Sequence, residues 1–461
     1  MQKLEGKHIY FMGIGGIGMS GIAEILLDFG YRVSGSDIRT SNVTERLQKK
    51  GAVIYIGQKE ENISEDIDII VRSSAIRENN PELMRARELN ITMLHRSEML
   101  AQLMEHKRAI CVAGAHGKTT TSSMIALIMD LAGLDPTVVV GGEIYQIGSN
   151  AKSGKSDILV AEADESDGSF LNLLPWMAVI TNVEEDHLDH YKNLDAIREA
   201  FREFVYKTGE HGVAVLNYDC EETRQLANLV PGKLITYGFA EDAQLQSRNW
   251  RYEDGVNKAD VYLEGALLGT LEMQVPGKHN ISNGLAAVAA GLEIGMSFEE
   301  IKNGLMQFGG ARRRFQLLGH VHDIQIIDDY AHHPTEIAAT IQAARGVHPG
   351  RLVAVFQPHR YTRTKLLFSE FCECFKDCDE LILTDIYAAS EEAIPGVSSM
   401  HLAEGIKAAT GQEVLYIGKL TKAEEYLERV VRPGDLVMTI GAGDVFKIGE
   451  ELVRELERNA D

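Results

Sequence analysis

The sequence predicts an α/β chain of mainly parallel sheets spread over more than one domain, and three observations predict it. Short apolar runs that read as buried strands recur between stretches whose apolar residues fall at helical spacing. Two glycine-rich loops each follow such a run and open such a helix. With 461 residues the chain is too long for one ordinary core, so two to four domains are expected.

The first loop comes at once. Residues 8–12 form a strand pattern, Gly13-Ile-Gly15-Gly16-Ile-Gly18 follows, and Ile22, Ile25, Leu26 and Phe29 mark a helix face. A second strand, 31–34, ends at Gly35-Ser36-Asp37. Glycines at this spacing let backbone approach a diphosphate, and Asp37 stands near the separation at which an acid meets a ribose hydroxyl. Alone, the fingerprint fits a nicotinamide dinucleotide as well as another nucleotide. Strands at 52–56 and 67–71 follow, the latter ending in Arg72-Ser73-Ser74-Ala75. Ser73 and Ser74 can contact a diphosphate or sugar, or serve as turn and cap residues. The first domain is expected to end near a helix at 98–105.

The second loop is the more chemical one. An apolar run at 109–113 leads into Gly114-Ala115-His116-Gly117-Lys118-Thr119-Thr120, and Met124, Ile128 and Leu131 continue at helical spacing. Such a loop aims backbone N–H groups and a helix N-terminus at a phosphate, Lys118 brings positive charge to the outer phosphates, and the Thr119 hydroxyl can hold magnesium. The stretch reads as a nucleoside triphosphate site, one glycine shorter than usual because Val112 stands where a glycine is common. A strand at 157–161 ends in Glu162-Ala-Asp164-Glu165-Ser166-Asp167-Gly168, where acids beside a phosphate loop point to magnesium rather than a solvated loop. A strand at 177–181 runs into Asn182-Val-Glu184-Glu185-Asp186-His187, and His187 reads as a metal or phosphate residue. Pro276-Gly277-Lys278-His279-Asn280-Ile-Ser-Asn283 reads as the capping segment of a helix at 284–291.

A basic cluster, Arg312-Arg313-Arg314, follows Gly309-Gly310 and reads as a domain joint. Beyond it a strand at 324–327 ends in Asp328-Asp329-Tyr330-Ala-His332-His333, and one at 352–356 ends in Gln357-Pro-His359-Arg360-Tyr361-Thr-Arg363. Two loops rich in histidine and arginine make a local positive site for an anionic substrate or a transferring phosphoryl group. Strands at 380–384 and 436–440 close the chain, the latter leading to Gly441-Ala-Gly443-Asp444.

Composition excludes other classes. The formal net charge is -22 with no basic block, so nucleic acid is not an expected partner. Five cysteines are too few for a disulfide framework and suggest a reducing compartment, with Cys372, Cys374 and Cys378 as buried thiols. The apolar stretch 9–27 is broken by glycines and carries Glu24, so neither export nor membrane insertion is expected and the location is read as cytoplasmic.

In this order, GIGGIGMSGIAEIL, AHGKTTT, EADESDGSF, TNVEEDHLDHY, GKHNISN, ARRRFQ, DDYAHHPTE and QPHRYTR resemble the Mur ligases of peptidoglycan synthesis, most of all those that join L-alanine to UDP-N-acetylmuramate. The resemblance implies three domains: a Rossmann-like UDP-sugar domain (1–106), a central P-loop ATPase domain with a mainly parallel sheet (107–311) and a Rossmann-like C-terminal domain (312–461) that closes on ATP and the amino acid. Gly13, Gly15, Gly16 and Gly18, with Asp37, Ser73 and Ser74, would then hold the UDP sugar, and the nicotinamide reading falls. Residues 114–120 would bind ATP, with Lys118 on its outer phosphates, while Thr119, Glu162 and His187 hold Mg2+. Asn280 and Asn283 would face the adenine, and Arg314 and Asp329 the phosphates and ribose. Tyr330, His332, His359, Arg360 and Arg363 would lie near the reacting carboxylate and the incoming amine, with Lys118, His187, Arg360 and Arg363 as the catalytic set. Ala115 stands where the family carries a hydroxyl residue and Ala331 where it carries glycine, both small; Arg202 stands where sister ligases carry a carbamylated lysine. The implied ligands are small molecules (ATP, UDP-N-acetylmuramate and L-alanine), and the implied assembly is a monomer or homodimer. Other readings are a relative that adds a recycled peptide, a nicotinamide oxidoreductase that leaves the second loop unexplained, and a UDP-sugar sensor without turnover.

Overall fold

The structure, a computed structural model, describes residues 6–144, 146–187 and 190–458, so Leu188 and Asp189 of the acidic histidine motif lie outside the described residues. Two compact units hold the chain: Met1–Arg248, Asp260–Leu271 and Ser282–Phe308 in the first, Asn249–Ala259, Glu272–Ile281 and Gly309–Asp461 in the second.

The first unit begins with a parallel sheet of β1 (His8–Met12), β2 (Arg32–Asp37), β3 (Val53–Ile56), β4 (Ile69–Arg72) and β5 (Thr92–His95) in the order β3-β2-β1-β4-β5. Strand β1 sits between β2 and β4, so the winding reverses there and a crevice opens at its carboxyl end. The glycine loop at Gly13 occupies that place. A second sheet follows with β6 (Arg108–Ala113), β7 (Thr137–Ile144), β8 (Ser149–Lys152), β9 (Ile158–Glu162), β10 (Met177–Ile180), β11 (Val213–Asn217) and β12 (Lys233–Gly238). Their order is β12-β11-β10-β6-β9-β7-β8, and the sheet continues past β12 through β13 (Leu245–Glu253), β14 (Val256–Leu263) and β15 (Ala266–Met273), whose residues are divided between the units. Strand β6 is buried from Ala109 to Ala113, as expected of a parallel strand covered on both faces. Only β8 runs antiparallel among the strands from β6 to β12. The helix Ile17–Asp28 after the first loop joins the two sheets, since a Cβ at Gly21 would come within 3.2 Å of the Ala151 side chain. Glycine there permits a close helix-to-strand approach.

The second unit carries β16 (Gln316–Val321), β17 (Ile324–Asp329), β18 (Arg351–Phe356), β19 (Glu380–Thr384), β20 (Val414–Gly418) and β21 (Asp435–Ile440) in the order β16-β17-β21-β18-β19-β20. Pairing is parallel except between β16 and β17. The loops after β17, β18 and β21 therefore emerge side by side. Cys372 and Cys378 are buried and all five cysteines are free thiols.

Two local readings change. Strand β9 runs to Glu162, one residue further than expected, so this acid is the last strand residue and not a loop residue. The helix near Asn280 starts at Lys278 and runs to Ile294, so Asn280 and Asn283 lie in its first turns and do not cap it. Among the described residues no helix is long and apolar enough to cross a membrane.

Candidate active site

Strand order creates the phosphate site. Strand β6 lies between β9 and β10, so the loop at 114–117, the acids from Glu162 onward and the residues after Ile180 share one edge of the sheet. The loop depends on two glycines: Gly114 has φ 140° and Gly117, just before the helix Lys118–Leu131, has φ 80°, conformations open to glycine. A Cβ on Gly114 would lie 2.1 Å from the Thr181 hydroxyl oxygen and about as close to Asn182 backbone as 2.9 Å. Asn182 pins the loop by accepting from the His116 amide at 2.8 Å and donating to the His116 carbonyl at 3.1 Å, and Thr181 donates to that carbonyl at 2.5 Å.

Lys118 folds back over this loop. Its Nζ donates to the carbonyls of Gly114 (2.6 Å) and Ala115 (3.2 Å) and to Glu165 Oε1 (2.9 Å). Burial alone would lower its pKa, but Glu165, Asp164 and Glu162 more than offset that and hold the ammonium above lysine's ordinary range. Glu162 accepts from the Gly141 amide at 2.8 Å and from the Thr119 hydroxyl. Burial pushes its pKa up, opposed by Lys118 and Thr119. His187, with φ 54°, places Nε2 3.3 Å from Glu165 Oε1 and 3.5 Å from Asp186 Oδ2. Burial would lower the imidazole pKa, and Glu165 and Asp186 reverse the direction.

Glu165 is the residue that sequence reasoning did not single out from its run of four acids. It is 2% exposed, joins Lys118 to His187 through Oε1, and its Oε2 is buried with no hydrogen-bond partner among the described residues. A buried carboxylate oxygen left without a donor calls for a cation. Glu162, the last residue of β9, and the Thr119 hydroxyl offer further hard oxygens, the donor type that magnesium takes. Of the predicted metal residues, Thr119 and Glu162 adjoin each other, while His187 contacts Glu165. Asn283 lies against the loop: its Oδ1 accepts from Thr121 at 3.2 Å and would be 2.7 Å from a Cβ on Gly117. Asn280 donates to the Pro276 carbonyl at 2.6 Å.

At the first loop the Gly13 and Ile14 amides both donate to the Ser36 carbonyl at 2.9 Å, and the Gly15 amide donates to Asp37 Oδ2 at 2.9 Å. Asp37, expected near a ribose, thus braces the loop. Gly16 precedes the helix with no side-chain cap. A Cβ on Gly18 would meet the Arg96 guanidinium at 3.1 Å, so a cation unnoticed in the sequence lies against this loop. Ser74 hydrogen-bonds to Asp167 and, at 3.1 Å, to His95 Nε2. Ser73 closes a turn by accepting from the Ile76 amide.

In the second unit Tyr330, His332, His359 and Tyr387 form a line of ring contacts with centroids 5.5, 5.8 and 5.7 Å apart. Tyr387 carried no sequence signal, because it follows β19 in a loop without other polar motifs. Arg363 Nη1 approaches His359 Nδ1 at 3.3 Å, and Arg360 adopts φ 70° while its amide donates to the Tyr387 carbonyl. Burial, then Arg363 and Arg360, push His359 down to about 4, so it is uncharged at neutral pH. Arg314 lies over the Tyr330 ring and 3.4 Å from Glu336 Oε1. Asp329 spends both oxygens on backbone, accepting from Phe315 and Ala331 at 2.7 Å, and burial pushes it up to about 6.

Three family models match the chain: Mur ligase family, catalytic domain (residues 8–108), Mur ligase middle domain (112–291) and Mur ligase, glutamate ligase domain (313–443). The UDP-N-acetylmuramate–L-alanine ligase of Desulforamulus reducens is 49% identical over 459 residues, covering 99% of each chain. That of Pelotomaculum thermopropionicum is 49% identical over 454 residues, covering 98% of each. Among solved structures, the UDP-N-acetylmuramate–alanine ligase of Thermotoga maritima superposes with a TM-score of 0.83 at 30% identity, covering 98% of this chain and 99% of that one. A murein peptide ligase of Psychrobacter arcticus shares the fold, with a TM-score of 0.71 at 22% identity and coverage of 98% and 99%. With its three sheets, its phosphate loop and its full-length relatives in agreement, the chain belongs to the Mur ligase family.

Proposed function

We propose that the chain joins L-alanine to the lactyl carboxylate of UDP-N-acetylmuramate in peptidoglycan precursor synthesis, converting ATP to ADP and phosphate. The observation that carries this reading is the 49% identity over 459 residues with a ligase of that name.

A carboxylate is a poor electrophile until it is phosphorylated. Its oxygen attacks the γ-phosphorus of ATP, the bond to ADP breaks, and an acyl phosphate forms. Lys118 must leave Glu165 to neutralise the phosphates, which would otherwise repel the attacking anion. Thr119, Glu162, His187 and Glu165 are the residues to hold magnesium, which when bound neutralises phosphate charge. The neutral alanine amine then attacks the acyl carbon, phosphate departs with the former carboxylate oxygen, and the nitrogen gives its surplus proton to solvent or to the departing phosphate. Arg360 and Arg363 are the cations offered to the anionic tetrahedral centre, and His359, uncharged at neutral pH, meets the amine without adding a like charge. The five free thiols suit a cytoplasmic, reducing compartment.

The test is phosphate release from ATP with magnesium and UDP-N-acetylmuramate, adding L-alanine, a muropeptide-type tripeptide, or no amine. Release that depends on L-alanine is expected. Dependence on the tripeptide would move the chain to the peptide-recycling activity instead.

A further inference from the structure

One buried carboxylate lies outside all of this chemistry. Glu82, in the first turn of the helix Pro81–Glu88, is fully buried, and no lysine or arginine pairs with it among the described residues. Three donors converge on it: the Tyr10 hydroxyl at 2.8 Å and the Asn62 amide at 2.7 Å on Oε1, and the Ser36 hydroxyl at 2.7 Å on Oε2. Burial and then the Glu82 charge push the Tyr10 phenol well above its ordinary range, so it remains a donor. The helix N-terminus adds its own favourable field to the negative charge.

The three donors come from three separate places. Tyr10 is in β1, Ser36 is near the end of β2, and Asn62 lies in the segment after β3. Ser36 is also the residue whose carbonyl receives the Gly13 and Ile14 amides, and the next residue, Asp37, receives the Gly15 amide. Asn62 also donates to the Gly57 carbonyl at 2.9 Å, and the Gly57 amide donates to the Asp37 carbonyl at 2.8 Å. Glu82 therefore holds the end of β2 both through Ser36 and through Asn62 and Gly57. The end of β2 in turn holds the glycine loop.

We propose that Glu82 is a positioning residue for the UDP-sugar site, fixing the amides of the Gly13–Gly18 loop through Ser36 without touching the ligand. The proposal rests on reading that loop as the UDP-sugar site. A carboxylate is required because it only accepts, and every group facing it donates. A glutamine would turn an N–H toward at least one of those donors and release Ser36 or the Tyr10–Asn62 pair. An apolar core residue of the same size would take this acceptor from the buried Tyr10 and Ser36 hydroxyls. A role confined to stability would lower the melting temperature and leave ligand affinity alone, which separates the two.

The experiment compares the full-length wild type with Glu82→Gln and, independently, Ser36→Ala. UDP-N-acetylmuramate and a non-hydrolysable ATP analogue are titrated by calorimetry, and backbone amide exchange is followed over residues 8–18 and 109–131. Both variants are expected to bind the UDP sugar about ten-fold more weakly, as loss of a hydrogen bond to a buried charge implies. The ATP analogue should bind as in wild type, and exchange should quicken at the Gly13 loop but not at the Gly114 loop. In turnover, KM for the UDP sugar should rise while kcat holds. Wild-type UDP-sugar affinity in a folded Glu82→Gln protein overturns the proposal. If that variant does not fold, Ser36→Ala decides by the same criterion. A wild-type protein that fails to bind the UDP sugar sinks the substrate reading instead, so the two failures are distinguishable.

Discussion

Two glycine loops open two helices in the first unit, and they are equipped differently. At Gly13–Gly18 the amides of Gly13, Ile14 and Gly15 are taken by Ser36 and Asp37, and the loop contains no lysine. It is a braced cradle ending at an uncapped helix, with Arg96 against Gly18. At Gly114–Lys118 the occupied groups include the carbonyls of Gly114 and Ala115, both held by a lysine that also reaches a buried acid. Fixed dipoles suffice to hold a diphosphate that is not broken. Moving a phosphoryl group needs charge that can relocate as the bond changes hands, and on the function proposed above Lys118 and the acids around it would supply it. Glycine spacing thus reports only that backbone approaches a phosphate. The neighbours decide between holding and turnover.

The sharpest way to break this comparison is Lys118→Ala. Alanine-dependent phosphate release should fall by about three orders of magnitude or more, while calorimetric binding of the UDP sugar is retained. Loss of both would mean that the loops are not separate in function. Removing the ammonium also strands Glu165, so a stability loss on the order of 3 kcal/mol should show in chemical denaturation.

Gly114→Ala should come next. Its Cβ would meet Thr181 Oγ1, a hydroxyl bonded to the His116 carbonyl, at 2.1 Å and Asn182 backbone at 2.9 Å, and φ is already 140°. Binding of an ATP analogue should weaken by roughly two orders of magnitude, read by calorimetry. Glu165→Gln should lower turnover by about ten- to a hundred-fold and raise the magnesium concentration needed for half-maximal rate. An unchanged magnesium dependence would remove Glu165 from the cation site. A milder change is Gly15→Ala, whose Cβ would approach a side-chain atom, Asp37 Oδ2, at 2.8 Å. KM for the UDP sugar should rise by about ten-fold or less, with kcat held.

A further test, in the second unit, uses pH. Burial lifts the Asp329 carboxyl to about 6, above the ordinary aspartate value of about 3.9, so the folded chain holds an extra proton between those values. Stability should therefore fall as pH rises from about 4 to about 6, by up to about 3 kcal/mol, and stay level above. Asp329→Asn should flatten that slope in urea titrations while sparing UDP-sugar binding.

Much of the site was legible because its motifs are contiguous. Lys118 and Thr119 follow a glycine loop by one and two residues, and a strand before plus a helix after confirm what the loop is. Glu165 was hidden in a run of four acids, where nothing local distinguishes the one that turns toward Lys118. Arg96 and His95 sit at a strand-to-helix corner with no motif, and their value comes from lying against Gly18 and Ser74. Strands such as β13 and β15 escaped notice because β13 is mostly polar and the apolar residues of β15 are interrupted by Gly269 and Thr270 and left partly exposed, so neither forms a buried apolar run. Asn280 was mistaken for a cap because Pro276 and Gly277 look like a helix boundary, while the helix takes up Lys278 at once.

By itself the sequence determined the strand–loop–helix units and the side chains they carry, since these depend on hydrophobic periodicity, on glycine's tolerance of positive φ, and on neighbours a few residues apart. Only the tertiary structure decided which strand ends adjoin. His116 meets Asn182 across 66 residues and Lys118 meets Glu165 across 47, because β6 pairs with β10 on one side and β9 on the other. Pairing of distant strands follows from burial of whole sheets, a property of no short segment, and it is that pairing which sets a mobile lysine beside a buried acid with an oxygen to spare.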